Sequence, residues 1–295
     1  MDEFGYMTAD TVSRQVKEAV IRAIEEINQK RFDFEAKQKV VDYKKEEDFV
    51  TSADISAQHI YTQIFKESFP DYGIIGEEDN LRKEPGELGL WFTVDPLDGT
   101  KAFIRKQSHG VATMVALVKN KEIIGVWIGD VFTKELYYYR PKSDKVHRLI
   151  NYKFPQRLGI LVKKPLKNQV VVLRTHPRNY SKVIERMTLP GELFKDINID
   201  SGSIGTMFGR LWKGEVGALI LQEGKATPWD RTPIIGISKK LGFQFLSRKK
   251  DDFIVFNPDI SMEMIEMDEH IVVHEKNVPD VIDWFREFKK VNKKF

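Results

Sequence analysis

The densest chemistry in the chain lies in Asp95-Pro-Leu-Asp98-Gly99-Thr100. Two carboxylates three residues apart, with the Leu97 carbonyl between them, put hard oxygen donors on one tight turn, which is the ligand chemistry of Mg2+. Gly99-Thr100 would open a helix whose free N–H groups and positive dipole suit a phosphate. The hexapeptide is equally an ordinary turn composition, since Asp, Pro, Gly and Thr all favour turns. Three more acids extend the set: Asp54 closes Asp48-Phe-Val-Thr-Ser-Ala-Asp54, Glu77 heads Glu77-Glu78-Asp79, and Asp230 follows Trp229. Singly, Asp54 and Asp230 are as well explained as helix N-caps, and Glu77 as part of a solvated acidic loop. Crowded around one point, these carboxylates would repel strongly unless cations sat among them.

Definite elements must position these acids. Residues 91–94 form a buried strand that delivers Asp95 to its end, and Pro96 stops the ladder there. Val12, Val16, Ala19, Val20, Ala23, Ile24 and Ile27 recur at helical spacing and predict a helix over 9–30, capped by Asp10 or Thr11. A second helix is expected over about 56–69, followed by a short strand at 72–76 that leads into Glu77. Residues 111–118 and 122–128 predict a hairpin, and 135–139 continue the meander. The polar run 141–157 marks the division between an N-terminal α+β subdomain (1–150) carrying most of the acids and a C-terminal α/β subdomain (151–295) supplying Asp230. In that second half, strands at 158–162, 169–174, 216–221 and 253–256 alternate with helices near 179–188, 203–213, 231–241 and 279–293. Trp91, Phe92 and Phe103 are expected to be core around the motif strand.

Composition removes several alternatives. The 295 residues are 41% hydrophobic, enough for a sizeable core, and contain no cysteine, which excludes disulfide scaffolds, thiol nucleophiles and thiolate metal sites. Lys and Arg number 47 against 44 Asp and Glu, a balance that does not point to a nucleic-acid partner. No run approaches the ~18 apolar residues of a membrane span. The acidic N-terminus lacks the apolar core of a secretory signal, so a cytoplasmic protein is expected. Ser201-Gly-Ser-Ile-Gly205 does not match the G-x-S-x-G nucleophile elbow, and Lys213 lies outside any G-K-[ST] phosphate loop. His270 and His274 sit four apart on a strand, where an exposed face is a better explanation than a zinc pair.

Taken in order, Val50-Thr-Ser-Ala-Asp54, Gly76-Glu77-Glu78, Asp95-Pro-Leu-Asp98-Gly-Thr100 and Trp229-Asp230 resemble the inositol monophosphatase superfamily of magnesium-dependent, lithium-sensitive phosphatases. The resemblance runs from the first helix to about residue 242. It implies a layered α-β-α-β-α sandwich, often a homodimer, that hydrolyses a small phosphorylated substrate with two or three Mg2+ ions. Carried over to this sequence, Glu77, Asp95 and the Leu97 carbonyl would bind the first ion and Asp95, Asp98 and Asp230 the second, with a third near Glu77. Asp54 and Thr100 would orient and deprotonate the attacking water. The N–H groups of Gly99 and Thr100 would hold phosphate, with Gly202, Ser203 and Glu223 as further substrate contacts.

Two features bear on the substrate. The family usually continues W-D with small residues (D-x-A-A-G), whereas this chain has Asp230-Arg-Thr-Pro-Ile-Ile-Gly236, which predicts a bulkier pocket wall. Asp98-Gly-Thr-Lys101-Ala-Phe103 looks like the branch that hydrolyses 3′-phosphoadenosine 5′-phosphate, with Lys101 available to a second phosphate. Inositol monophosphate is the other substrate the resemblance implies. A catalytically weak phosphate-ester-binding or regulatory protein on the same fold is the alternative.

Overall fold

The computed structural model describes residues 3–39, 48–159, 164–249 and 252–291. The predicted first helix is α1 (Ala9–Gln29), whose apolar stripe is buried. Its cap is Thr8, not Asp10 or Thr11: the Thr8 hydroxyl accepts the Thr11 N–H. A hairpin of β1 (Ala36–Lys39) and β2 (Asp48–Thr51) leads into α2 (Ser52–Ser68), which starts four residues earlier than expected because Thr51 and Asp54 form a reciprocal capping box.

One large sheet follows: β3 (Gly73–Gly76), β4 (Arg82–Lys83), β5 (Leu90–Asp98), β6 (Ala112–Lys119), β7 (Glu122–Asp130), β8 (Glu135–Tyr139), β9 (His147–Ile150) and β10 (Phe154–Arg157), with the short α3 (Thr100–Ile104) after β5. Its order is β10-β9-β8-β7-β6-β5-β3-β4, antiparallel except for the β3–β5 pair. The polar run 141–157 therefore forms the sheet's edge hairpin, and a cut at 150/151 would fall inside it.

The second sheet contains β11 (Val170–Leu173), β12 (Asp196–Ile199), β13 (Ala218–Leu221), β15 (Phe243–Lys249), β16 (Asp252–Phe256) and β18 (His270–His274), in the order β12-β11-β13-β18-β15-β16. A separate ribbon pairs β14 (Gly224–Ala226) with β17 (Ile265–Met267). The helices of this half are α4 (Lys182–Met187), α5 (Ile204–Trp212), α6 (Pro228–Lys240) and α7 (Val278–Val291). The predicted strand over 158–162 lies partly outside the described residues.

Three apolar clusters hold the layers together. Val16, Val20 and Ile24 of α1 pack with Phe92 and Val115 under one face of the first sheet. Met114 and Ile128 from its other face meet Phe208 and Ile235 of α5 and α6, and Val172 and Val272 of the second sheet. Ile184 of α4 and Phe285 of α7 cover that sheet's far side. The result is the expected α-β-α-β-α sandwich. Trp91, Phe92 and Phe103 are core, as predicted. His270 and His274 are not on an exposed face: both are buried, His270 against the rings of Phe245 (tilted) and Phe256 (edge-on) and His274 edge-on to Phe243, because their side of β18 faces the α6 layer.

Candidate active site

The strand carrying the motif does not stop at Pro96. β5 runs on to Asp98, with a register shift against β6 between Asp95 and Asp98 that accommodates the proline in a bulge. Asp95 is 1% exposed; its Oδ1 accepts the Leu97 N–H at 3.0 Å, and its own carbonyl is held by Thr113 Oγ1. Gly99 then takes φ +97°, a left-handed conformation that favours glycine, and a Cβ there would lie 2.2 Å from the Gly110 carbonyl oxygen. That turn directs Asp98 at the start of α5. There Asp98 accepts the Ile204 N–H on Oδ1, at 3.1 Å, and the Gly205 N–H and Ser203 hydroxyl on Oδ2, at 2.7 and 2.5 Å.

Asp230 reaches the same place from the other half of the chain. It lies in the first turn of α6, where Thr227 rather than Asp230 holds the N-cap position, and its Oδ2 accepts the Thr227 hydroxyl at 2.7 Å. Asp95, Asp98 and Asp230 each offer a carboxylate oxygen, and these oxygens lie within 4.8 Å of one another. An all-oxygen, anionic donor set of this kind suits a hard divalent cation. The electrostatics agree. Burial, reinforced by Glu77, Asp98 and Asp230, pushes the Asp95 carboxyl well above the usual carboxylate range. Burial and Asp230 push Asp98 up to about 6, against the opposing hydrogen bonds from Ser203 and Gly205.

Glu77 borders this cluster. Its backbone N–H is tied to the Val94 carbonyl of β5, and Gln58 braces the next residue by bonding both backbone groups of Glu78. The Glu77 carboxylate pairs with Lys39 at the end of β1, at 3.2 Å, and Lys39 also bonds Glu78. The structure therefore gathers the second expected ligand set directly, while Glu77 stands beside it on a lysine. Lys39 was not singled out from the sequence, where nothing connects a residue on an edge hairpin to an acidic turn 38 positions away.

Asp54 is buried in the first turn of α2. Its Oδ2 accepts from the N–H and hydroxyl of Thr51, and its Oδ1 faces Thr100 Oγ1 at 3.1 Å. Thr100 Oγ1 also lies 3.2 Å from the Leu97 carbonyl. Burial raises the Asp54 pKa against these hydrogen bonds. Lys101 is half-buried on α3. The Gly202 carbonyl accepts from Arg174, which follows β11 and whose charge reaches Asp98, a residue sequence reasoning also missed. Ser203 caps α5 through the Thr206 N–H while donating to Asp98, so its hydroxyl serves the protein itself. Glu223 is exposed in the connection from β13 to β14. Arg231, expected to thicken the pocket wall, instead directs its guanidinium into backbone carbonyls of neighbouring segments.

A layered sandwich with an acidic cluster at the junction of its two sheets defines a recognisable class. The sequence profile of the Inositol monophosphatase family matches residues 8–264, and the chain belongs to that family. It is 28% identical over 218 residues to the fructose-1,6-bisphosphatase/inositol-1-monophosphatase of Aquifex aeolicus, covering 70% of this chain and 75% of that one. Over 94 residues it is 34% identical to the Nus factor SuhB of Xylella fastidiosa, covering 32% of this chain but only 33% of the relative's length. The crystal structure of the extragenic suppressor protein suhB from Bartonella henselae superposes with a TM-score of 0.71 at 19% identity, over 95% of this chain and 99% of that one, a likeness of fold. Among the described residues no helix is long and apolar enough to cross a membrane.

Proposed function

We propose that the chain is a Mg2+-dependent phosphate monoester hydrolase. The observation that carries this reading is the convergence of Asp95, Asp98 and Asp230 within 4.8 Å, on two separate parts of the fold. Asp95, Asp98 and Asp230 would hold one ion, and Glu77, Asp95 and the Leu97 carbonyl a second, with a third near Glu77. Bound there, Mg2+ neutralises phosphate charge and lowers the pKa of water. The protein's own groups do the rest. Thr100 Oγ1, in reach of Asp54, accepts a hydrogen bond from the attacking water and passes its proton toward the Asp54 carboxylate. The N–H groups of Gly99 and Thr100 would hold the phosphate oxygens while the P–O bond to the leaving group breaks in line with the attack, the departing alkoxide taking a proton from solvent to become the alcohol.

For the substrate we favour 3′-phosphoadenosine 5′-phosphate or an inositol monophosphate. Lys101, directly after the motif, and Arg174, whose charge reaches Asp98, offer positive charge to a second anionic group, which supports the bisphosphate. Gly202 and Ser203 act in this reading by holding Asp98 and Arg174, and Glu223 contacts the alcohol. The deciding experiment is phosphate release from both esters with and without Mg2+, with Asp95→Asn as control. Activity that needs Mg2+ and collapses in the variant supports the reading; no release from a folded protein refutes it.

A second reading, a phosphate-ester-binding or regulatory protein with little turnover, is favoured by the relatives named as Nus factors. Tight calorimetric binding of either ester with Mg2+, in the absence of turnover, is its signature. The family resemblance also supports a cytoplasmic homodimer, which light scattering would check for assembly.

A further inference from the structure

Arg231 stands at the variable position of D-x-A-A-G, beside the Thr232-Pro233 that replace the family's small residues, and it is only 2% exposed. Burying a guanidinium is costly unless its donors are met. Here they are met almost entirely by backbone: Nε donates to the Asp259 carbonyl at 3.2 Å and Nη1 to Ala226 at 2.9 Å. Nη2 reaches the carbonyls of Ser261 and Glu263, at 2.9 and 2.7 Å, and the Ser261 hydroxyl at 3.0 Å. Four of these five bonds hold residues 259–263, an irregular strap between β16 and β17. The fifth holds Ala226, the last residue of β14.

The strap connects the two sides of the site. From Glu263 it is tied by Arg82 Nη2, at 2.8 Å, to β4, the strand that turns back from Glu77. Past Glu263 it becomes β17, which pairs residue for residue with β14: Ala226 with Ile265 and Gly224 with Met267. β14 then runs through Thr227, whose hydroxyl bonds Asp230. The ribbon and strap thus border the acidic cluster on Asp230's side, and one arginine fastens both to the helix that carries the ligand.

We propose that Arg231 is a positioning residue for alcohol specificity: it fixes the 259–267 strap and its partner β14 as the wall against which the leaving alcohol is held. This rests on the phosphatase reading above. A lysine at this position would not serve, because three rotatable donors on one nitrogen cannot reach carbonyls spread across two segments as a planar fork does.

The test compares the wild-type chain with Arg231→Met and Arg231→Lys by two measurements. In hydrogen exchange, amides of 224–226 and 259–267 should exchange about tenfold faster in both variants, while those of α5 keep their wild-type protection. In kinetics, the kcat/KM ratio of inositol 1-phosphate over p-nitrophenyl phosphate should fall about tenfold, through KM. A merely structural role would instead lower both esters together. Ser261→Ala, which removes one bond of five, should move both readouts the same way by less, and it keeps the question open to test if Arg231→Met does not fold. Unchanged exchange in the strap, rescue by lysine, or an unchanged ester ratio overturns the proposal. A wild-type chain that hydrolyses neither of these esters nor 3′-phosphoadenosine 5′-phosphate overturns the phosphatase reading and the specificity role with it, whereas the exchange measurement still decides separately whether Arg231 pins the strap.

Discussion

The acids of the site are held in two different ways. On the β5 side, Asp95, Asp98 and Thr100 lie within six residues, and the strand bulge, the left-handed Gly99 and the start of α5 fix their backbone and side chains together. On the α6 side, Asp230 is half-buried and bonds one hydroxyl, and its helix is located by packing and by Arg231's carbonyl contacts. The first side is rigid by local geometry. The second is placed by distant segments, so changes there leave the motif turn's own hydrogen bonds in place. On the proposed phosphatase reading, substrate selectivity is expected on the docked side, which contributes Asp230 as its one share of the acidic cluster.

The largest test of that contrast removes one carboxylate from each side. Asp95→Asn should lower Mg2+-dependent phosphate release about 10³-fold or more, and Asp230→Asn should also lose most of it. Near-wild-type turnover in Asp230→Asn would show that the β5 side suffices and break the comparison. Next in size, Gly99→Ala should cost about 3 kcal/mol in urea denaturation, because the added Cβ meets the Gly110 carbonyl in a conformation alanine resists.

The crowded carboxylates should make stability depend on pH. With a chelator present, Asp98, pushed up to about 6, and Asp95, raised further by burial and its neighbours, keep protons that the unfolded chain has lost. The native state then binds more protons than the unfolded state between the ordinary carboxylate range and pH 6. Stability therefore falls as pH rises through that window, by about 3 kcal/mol for Asp98 alone. Melting curves from pH 4 to 7 would show the slope, and saturating Mg2+ should flatten it.

Smaller effects separate the two sides further. Ser203→Ala removes both the Asp98 bond and the α5 cap and should cost about 1–2 kcal/mol, whereas Thr227→Val should cost about 1 kcal/mol or less. Equal costs in chemical denaturation would erase the distinction between a locally locked and a docked acid. Smallest of all, Arg82→Ala breaks an exposed pair with Glu263 and should leave the Tm where it is.

Much of this was legible in the residues alone. The spacing Asp95-x-x-Asp98-Gly-Thr100, the helical stripe of α1 and the alternation of strands and helices after residue 165 are local patterns, set by side-chain periodicity and turn stereochemistry. They suffice for an α+β half followed by an α/β half and for the motif acids, while the layered sandwich follows from the family resemblance of the ordered motifs. Where local rules competed, boundaries moved: a capping box drew α2 back to Ser52, and a bulge carried β5 through Pro96. The meeting of Asp230 with Asp95 and Asp98 was implied by the family resemblance and by no local pattern; the tertiary structure alone decided that Lys39 reaches Glu77 and that Ser203's hydroxyl serves Asp98. It also turned His270 inward and directed Arg231 to a strap some thirty residues downstream. Each of these depends on which surfaces pack together, and periodicity along a chain carries no information about the partner across an interface.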